Sequence, residues 1–500
     1  MGVIGCDHFT QILWDRAGPG KPPTNTGAFM RQLIITLCIV GLFLEISGLI
    51  WSSSKNDKPS EVFLKLSEMP ARSIEHPLQN GYFLLLGFAA SDNLDPVQVG
   101  YDIWLETDIK SVHRDYDFTK PGRSELRLPV AFEAVVPEWN TADPVEEFRD
   151  RKSAILATND QSKTLLNRYE QWLAMRFEDW GYAHRGVLRI DEILGTHRLY
   201  IAEGFGHRTQ TGIDRLAADL ARWRHVLRES RTITMKLMAI VALEDDINLF
   251  SRVLRRTSID QASLGQGLRL LQPLTSEEYS IKWPVRSEFQ LGMTLGLEPS
   301  HDEMPEHIGP GGSERDSLAR AVRLLPETLE SIEHPHPQTF LWLSSNSQRT
   351  WDTYATFYDA TIKAAETVHS PLPKLQDIAR HSQLTLLERL TGPFDFSPDW
   401  EALSQRLVET DARLRLATLQ ILMRNALPTD PIPSRLAEFG SRYFDPFTGL
   451  PMLWSPTQEK LYSVGKDRLD DGGDPSFDIS VTLPWASPSA IPLSPMAALN

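Results

Sequence analysis

The stretch IDRLAADLARWRHVLRESRTITMKLMAIVALEDDINLFSRVLRR, Ile213 to Arg256, decides the fold class. Leu216, Leu220, Trp223 and Leu227 recur at spacings of three and four, the period of one helix face. Ile233, Leu237, Ile240, Leu243, Ile247 and Phe250 carry a comparable stripe onward. The pattern predicts helix with a buried apolar face, with Trp223, Leu227, Leu237 and Ile240 inside. Arg222, Arg224, Arg228 and Arg231 lie off the stripe and read as a solvated face. Lys236, inside ITMKLMAI, either finds an acidic partner or extends its amine to water. Glu244-Asp245-Asp246 follows the stripe. Such a triplet reads first as a solvated helix face, second as paired carboxylates for acid–base work or cation binding.

Outward from this stretch, further helices are predicted at Lys163–Met175, Ser317–Glu330, Trp351–Thr367, Leu375–Leu390 and Trp400–Arg424. Residues 82–140 mix short apolar runs with Asp and Pro turns and read as a strand or two. The predicted organisation is a disordered tail (1–30), a transmembrane helix (31–51) and a polar linker (52–60). A helical lobe with short N-terminal strands follows (61–300), then a loop (301–316) and a second helical lobe (317–440). A β-hairpin with an acidic loop (441–483) and a disordered tail (484–500) complete the chain. The fold class is therefore mainly α, with a small C-terminal β module.

The predicted membrane helix rests on Leu33–Trp51, LIITLCIVGLFLEISGLIW, about as long as a helix needs to cross the hydrocarbon layer. Glu45 is its one acid, placed toward the C-terminal end, where the interface is closer. A cleaved signal peptide is disfavoured because no small-x-small site follows, only Trp51-Ser52-Ser53-Ser54. This gives a single-pass inner-membrane protein with its N-terminus in the cytoplasm and its soluble domain in the periplasm.

A net charge of −15 repels phosphate backbones and argues against a nucleic-acid partner. The only cysteines are Cys6 and Cys38, so the chain beyond Trp51 has neither disulfides nor thiolate chemistry. His301, Glu303, Glu306 and His307 crowd together, but without the spacing that puts two histidines on one helix face. His334 and His336, each followed by proline, are weaker metal candidates. No nucleophile elbow, phosphate loop or dinucleotide fingerprint stands out.

The C-terminal stretch FDPFTGLPMLWSPTQEKLYSVGKDRLDDGGDPSFDI, Phe444 to Ile479, is the most distinctive. Met452–Trp454 and Lys460–Val464 read as two strands around a Pro-Thr-Gln turn. Asp467, Asp470, Asp471, Asp474 and Asp478 then fall within twelve residues, among glycines that permit sharp turns. Such a loop suits a hard cation with six or more oxygen ligands, calcium above all. Arg468 is the rival, since its guanidinium can pair with one of these acids.

Tyr462-Ser463-Val464-Gly465-Lys466-Asp467, Gly472-Gly473 and Asp478-Ile479 resemble the C-terminal calcium loop of type II secretion major pseudopilins. Arg468 stands where that family has glycine, and the prepilin N-terminus is missing. The resemblance implies calcium, with Asp467 and Asp478 as its strongest ligands, and no filament-forming role. Asn80–Phe88, Asp95-Pro96, Leu216–Leu227, Thr234–Leu243 and the DPFTG…LYSVG…DDGG ending are similar to uncharacterised bacterial envelope proteins with one N-terminal anchor. Together these predict a membrane-anchored extracytoplasmic binding or scaffolding protein of the cell envelope, with a protein partner there and calcium at its C-terminus. The alternative is an envelope hydrolase that uses acidic side chains.

Overall fold

The computed structural model describes residues 58–106, 122–129, 132–136, 143–182, 188–255, 259–297, 348–366, 400–425 and 431–483. The helices used below are α1 (Gly81–Leu86), α2 (Pro96–Glu106), α3 (Lys163–Ala174), α4 (Ile190–His207), α5 (Thr209–Glu229), α6 (Ile233–Leu254) and α7 (Trp400–Asn425). The strands are β1 (Leu453–Ser455), β2 (Lys460–Ser463) and β3 (Ile479–Thr482).

The decisive stretch forms two helices rather than one. The α5 stripe buries Leu216, Leu220, Trp223 and Leu227, and the α6 stripe buries Leu237, Ile240, Leu243, Ile247 and Phe250. Between them the chain breaks at Ser230–Thr232. The Thr232 hydroxyl caps α6 by accepting from the Met235 amide at 3.3 Å. The buried carboxylate of Asp179 accepts from the amides of Arg231 (2.7 Å) and Thr232 (3.0 Å), and from the Thr232 hydroxyl (3.0 Å). Those amides would otherwise be orphaned at the helix start.

The arginines off the stripe are not all solvated, contrary to the sequence reading. Arg224 grips both Glu278 oxygens and the carbonyls of Leu270 and Gln272. Arg231 pairs with Glu178, and Arg222 donates to the Trp172 carbonyl while lying over the Trp172 ring. Only Arg228 is an exposed helix-face arginine of the expected kind. Arg222 is buried and Arg224 and Arg231 are half-buried, because their long stems are apolar and their forks reach carbonyls and carboxylates left open by neighbouring helix ends.

The strands expected within residues 82–140 are not found among the described residues of that segment, which form helices joined by turns and irregular chain. In α1, all six residues are buried, so neither period could be read from the run. Asn80 starts it, its side chain accepting from the Tyr82 amide at 3.1 Å. A Cβ on Gly100 of α2 would overlap the Phe83 carbonyl, so α1 and α2 meet backbone to backbone. The buried Arg168 of α3 donates to the carbonyls of Phe88, Ala90 and Ser91, which satisfies the chain leaving α1.

The hairpin is present, with β1 antiparallel to β2 and Leu453 opposite Tyr462. A third strand extends it: β3 pairs antiparallel with β2, Ser463 opposite Ile479. Helix α7 serves two apolar clusters. Leu403, Leu407, Leu414 and Ile421 join the main helical core, whereas Val408, Ala412, Leu416 and Leu419 pack with Met452, Leu461, Val464 and Ile479 of the β module.

The membrane reading is corrected. No described helix is long and apolar enough to cross a membrane, and Leu33–Trp51 lies outside the described residues. The described residues are mainly helical with one small three-stranded sheet, and they do not support a single-pass inner-membrane anchor or the periplasmic placement that depended on it. His301, Glu303, Glu306, His307, His334 and His336 also lie outside the described residues, as do the predicted helices Ser317–Glu330 and Leu375–Leu390 and both tails.

Candidate functional site

Two groups of acids are placed by this fold. The first is the C-terminal loop between β2 and β3. Asp445 ties the loop's base to the sheet: Oδ1 accepts from the Phe447 amide (2.9 Å) and the Ser463 hydroxyl (3.0 Å), and Oδ2 from the Val464 amide (3.0 Å). Gly465 then turns with φ 68°, and a Cβ there would strike the Phe477 carbonyl, so glycine is required. This lets the chain return at Asp478 directly beside its start.

Asp478 is buried, unlike the other four acids of the loop. Its Oδ2 accepts from the Gly473 amide at 2.7 Å, while Oδ1 has no hydrogen-bond partner. Burial pushes its carboxyl above the usual range, and the charges of Asp471 and Asp470 push the same way. Asp470 accepts from the Tyr462 hydroxyl (2.9 Å) and the Gly472 amide (3.0 Å). Asp467 and Asp474 close turns of their own, accepting from the amides of Leu469 (3.1 Å) and Ser476 (2.9 Å). Asp470 and Asp471 thus act on Asp478 through their charge, while the loop acids do not gather three ligand atoms within 4.8 Å of one another among the described residues. Arg468 makes no ion pair among the described residues.

The second group was not foreseen. His197 of α4, Asp219 of α5 and Asp246 of α6 converge in the helical core, each with zero exposure. One donor atom from each lies within 4.8 Å of the others. Asp219 is held on both oxygens: Tyr169 donates to Oδ1 and His197 Nδ1 donates to Oδ2, each at 2.7 Å. Tyr169 is in turn fixed by the Trp223 indole, which donates to its hydroxyl at 2.9 Å. The hydrogen bond from Nδ1 turns Nε2 of His197 toward Asp246, whose Oδ1 lies 3.8 Å away, beyond hydrogen-bond reach.

Asp246 accepts no hydrogen bond on either oxygen. Its near neighbour is Asp219, another acceptor, and such a contact is a hydrogen bond only if one acid keeps a proton. Burial first, and the Asp219 charge second, hold the Asp246 carboxyl well above the usual range. The other acids of its triplet have cationic partners, Glu244 pairing with Arg406 and Asp245 with Arg198.

The sequence signal for this group was a break in pattern. Asp219 sits three after Leu216 and four before Trp223, and Asp246 three after Leu243 and four before Phe250. Both acids therefore lie on the apolar stripes, where a carboxylate needs a partner. His197 lies likewise between the buried Ile193 and Ile201.

Comparison with family models, with curated proteins and with solved structures finds no match for this chain. The two sites therefore stand on their own geometry.

Proposed function

We propose that this is a helical binding or scaffolding protein whose C-terminal β module is completed by a calcium ion and recognises a protein partner. The observation that carries this reading is the buried Oδ1 of Asp478, which accepts no hydrogen bond and lies within reach of the charges of Asp470 and Asp471. A calcium ion would neutralise that concentration of charge. It accepts six to eight oxygens at irregular angles, so carboxylates and loop carbonyls serve equally. Asp470, Asp471 and Asp478 are the proposed ligands, with Asp467 and Asp474 shaping the loop. Magnesium fits less well because it demands a regular octahedron.

A hydrolase reading has less support. Asp246, whose carboxyl is strongly raised, converges with Asp219, and both are closed to any substrate. Glu244 and Asp245 are neutralised by arginines.

The test is thermal unfolding of the full chain with calcium and with a calcium chelator, combined with affinity purification under both conditions. Because an ion bound to the folded state stabilises it by mass action, calcium near 1 mM is expected to raise the midpoint by a few degrees. Asp478→Asn should remove the shift. A partner retained in calcium and released by chelator supports the binding role. No calcium shift, or a shift unchanged in Asp478→Asn, overturns the calcium site. Turnover of an ester, peptide or glycoside that an acid-to-amide substitution abolishes without unfolding overturns the scaffold.

A further inference from the structure

We propose that His197, Asp219 and Asp246 form an internal metal centre that holds one divalent first-row transition-metal ion and pins helices α4, α5 and α6 together. It is separate from the C-terminal loop in place, donor set and accessibility.

The first argument is the set of donors. An imidazole nitrogen with carboxylate oxygens suits zinc, iron, manganese or cobalt, whereas calcium takes oxygen alone. The second is orientation. A histidine that binds a metal through one nitrogen usually donates the other N–H to a carboxylate, which fixes the ring and raises its basicity. Asp219 does this for His197 Nδ1 at 2.7 Å, and Asp219 is itself held by Tyr169. This leaves Nε2 directed at Asp246.

The third argument is distance. The 3.8 Å between His197 Nε2 and Asp246 Oδ1 is too long for a hydrogen bond. Two donors about 2.0–2.2 Å from one ion, at an open angle between them, are separated by roughly this much. The fourth is the state of Asp246. Neither of its oxygens receives a donor, and it is sealed at zero exposure beside a second acid. A polar group so placed is costly unless something positive sits against it. The nearest cationic side chains do not fill that role. Arg222, close enough to act on Asp219, gives its fork to the Trp172 carbonyl, and Arg198 is engaged by Asp245.

The one competitor is a proton shared between Asp219 and Asp246. A cation and a proton leave different signatures. His197 and Asp246 come from different helices, with Asp219 orienting the imidazole from a third, so a metal would be captured as the core closes and released only when it opens. No ligand position is reachable from solvent, so the centre is structural rather than catalytic.

The experiment uses the full chain in the Asp478→Asn background, which removes calcium binding at the loop from the measurement. Protein is produced in medium supplied with zinc, iron, manganese and cobalt, and dialysed against chelator while folded. It is then unfolded in denaturant with chelator present. Metal content is read at each stage. The expected result is roughly one equivalent of a transition metal surviving dialysis and leaving only on unfolding. Cobalt-loaded protein should show the visible absorption of a nitrogen- and oxygen-ligated ion, and Asp246→Asn or His197→Gln should lower the metal content at least tenfold. Should those variants fail to fold, retention by the parent chain and its cobalt spectrum decide alone. A chain that is folded yet metal-free from supplemented medium overturns the proposal in favour of the shared proton. So does Asp246→Asn that retains the metal.

Discussion

A single buried amine shows how far residue chemistry departs from sequence pattern. Lys236 is wholly buried, and its Nζ donates to the carbonyls of Leu227 (2.8 Å) and Glu278 (2.7 Å). Burial brings its pKa down to about 7, against a smaller opposing pull from Glu278. A neutral amine has two N–H groups for two carbonyls, whereas the ammonium leaves a third without an acceptor. The unfolded chain keeps this lysine protonated to about pH 10.4, so between pH 7 and that value it binds more protons than the folded chain. Stability therefore rises with pH through this window, by on the order of 2 kcal/mol from pH 7 to pH 9. Lys236→Met should flatten that slope, as read from urea unfolding midpoints at both pH values. An unchanged slope would mean that the lysine is ionised inside the fold. Neither option read from the sequence, an acidic partner or an escape to water, describes this residue. The carbonyls that hold it come from a helix end and a distant turn, which no local pattern reveals. His197, Asp219 and Asp246 were legible in a weaker sense. Each interrupts an apolar stripe, but only packing shows that the three interruptions coincide.

At the scale of the element, the break between α5 and α6 is held by Asp179 together with the segment's own cap, Thr232. Its carboxylate receives the Arg231 and Thr232 amides, the Thr232 hydroxyl and the Gly181 amide. Asp179→Ala leaves buried amides without acceptors and should cost about 2–4 kcal/mol. Asp179→Asn retains an acceptor oxygen and should lose less. The measurement is the urea midpoint with the slope unchanged. Equal losses for both variants would show that charge, rather than acceptor geometry, sets the break. The stripes of α5 and α6 were readable because the period of 3.6 repeats over many residues. The short α1 was not, since a run buried all round has no polar face to mark its period. The β1–β2 hairpin was legible from its turn. The third strand, β3, lies beyond the acidic loop, and its pairing with β2 depends on Gly465 returning the chain.

At the largest scale, the two apolar clusters of the described residues are joined through α7, whose opposite faces complete them. Leu407 belongs to the helical core and Leu416 to the β module. A helix buried on both sides cannot leave one cluster without exposing the other, so the two should unfold together. Leu407→Ala and Leu416→Ala are each expected to cost about 2–5 kcal/mol, from lost transfer energy and the cavity left behind. Both should shift the same transition. The check is to follow unfolding with two probes, far-ultraviolet dichroism for the helices and hydrogen exchange at the β2 amides for the module. Coincident curves that move together in both variants are the expected outcome. If Leu416→Ala releases the β2 amides while the helical signal holds, α7 is a helical-core element with a separately melting module. The proposed calcium ion would then stabilise the module alone. Under the coupled arrangement, calcium bound near Asp478 is felt at Leu407, because loss of the module would strip one face of the helix that carries it.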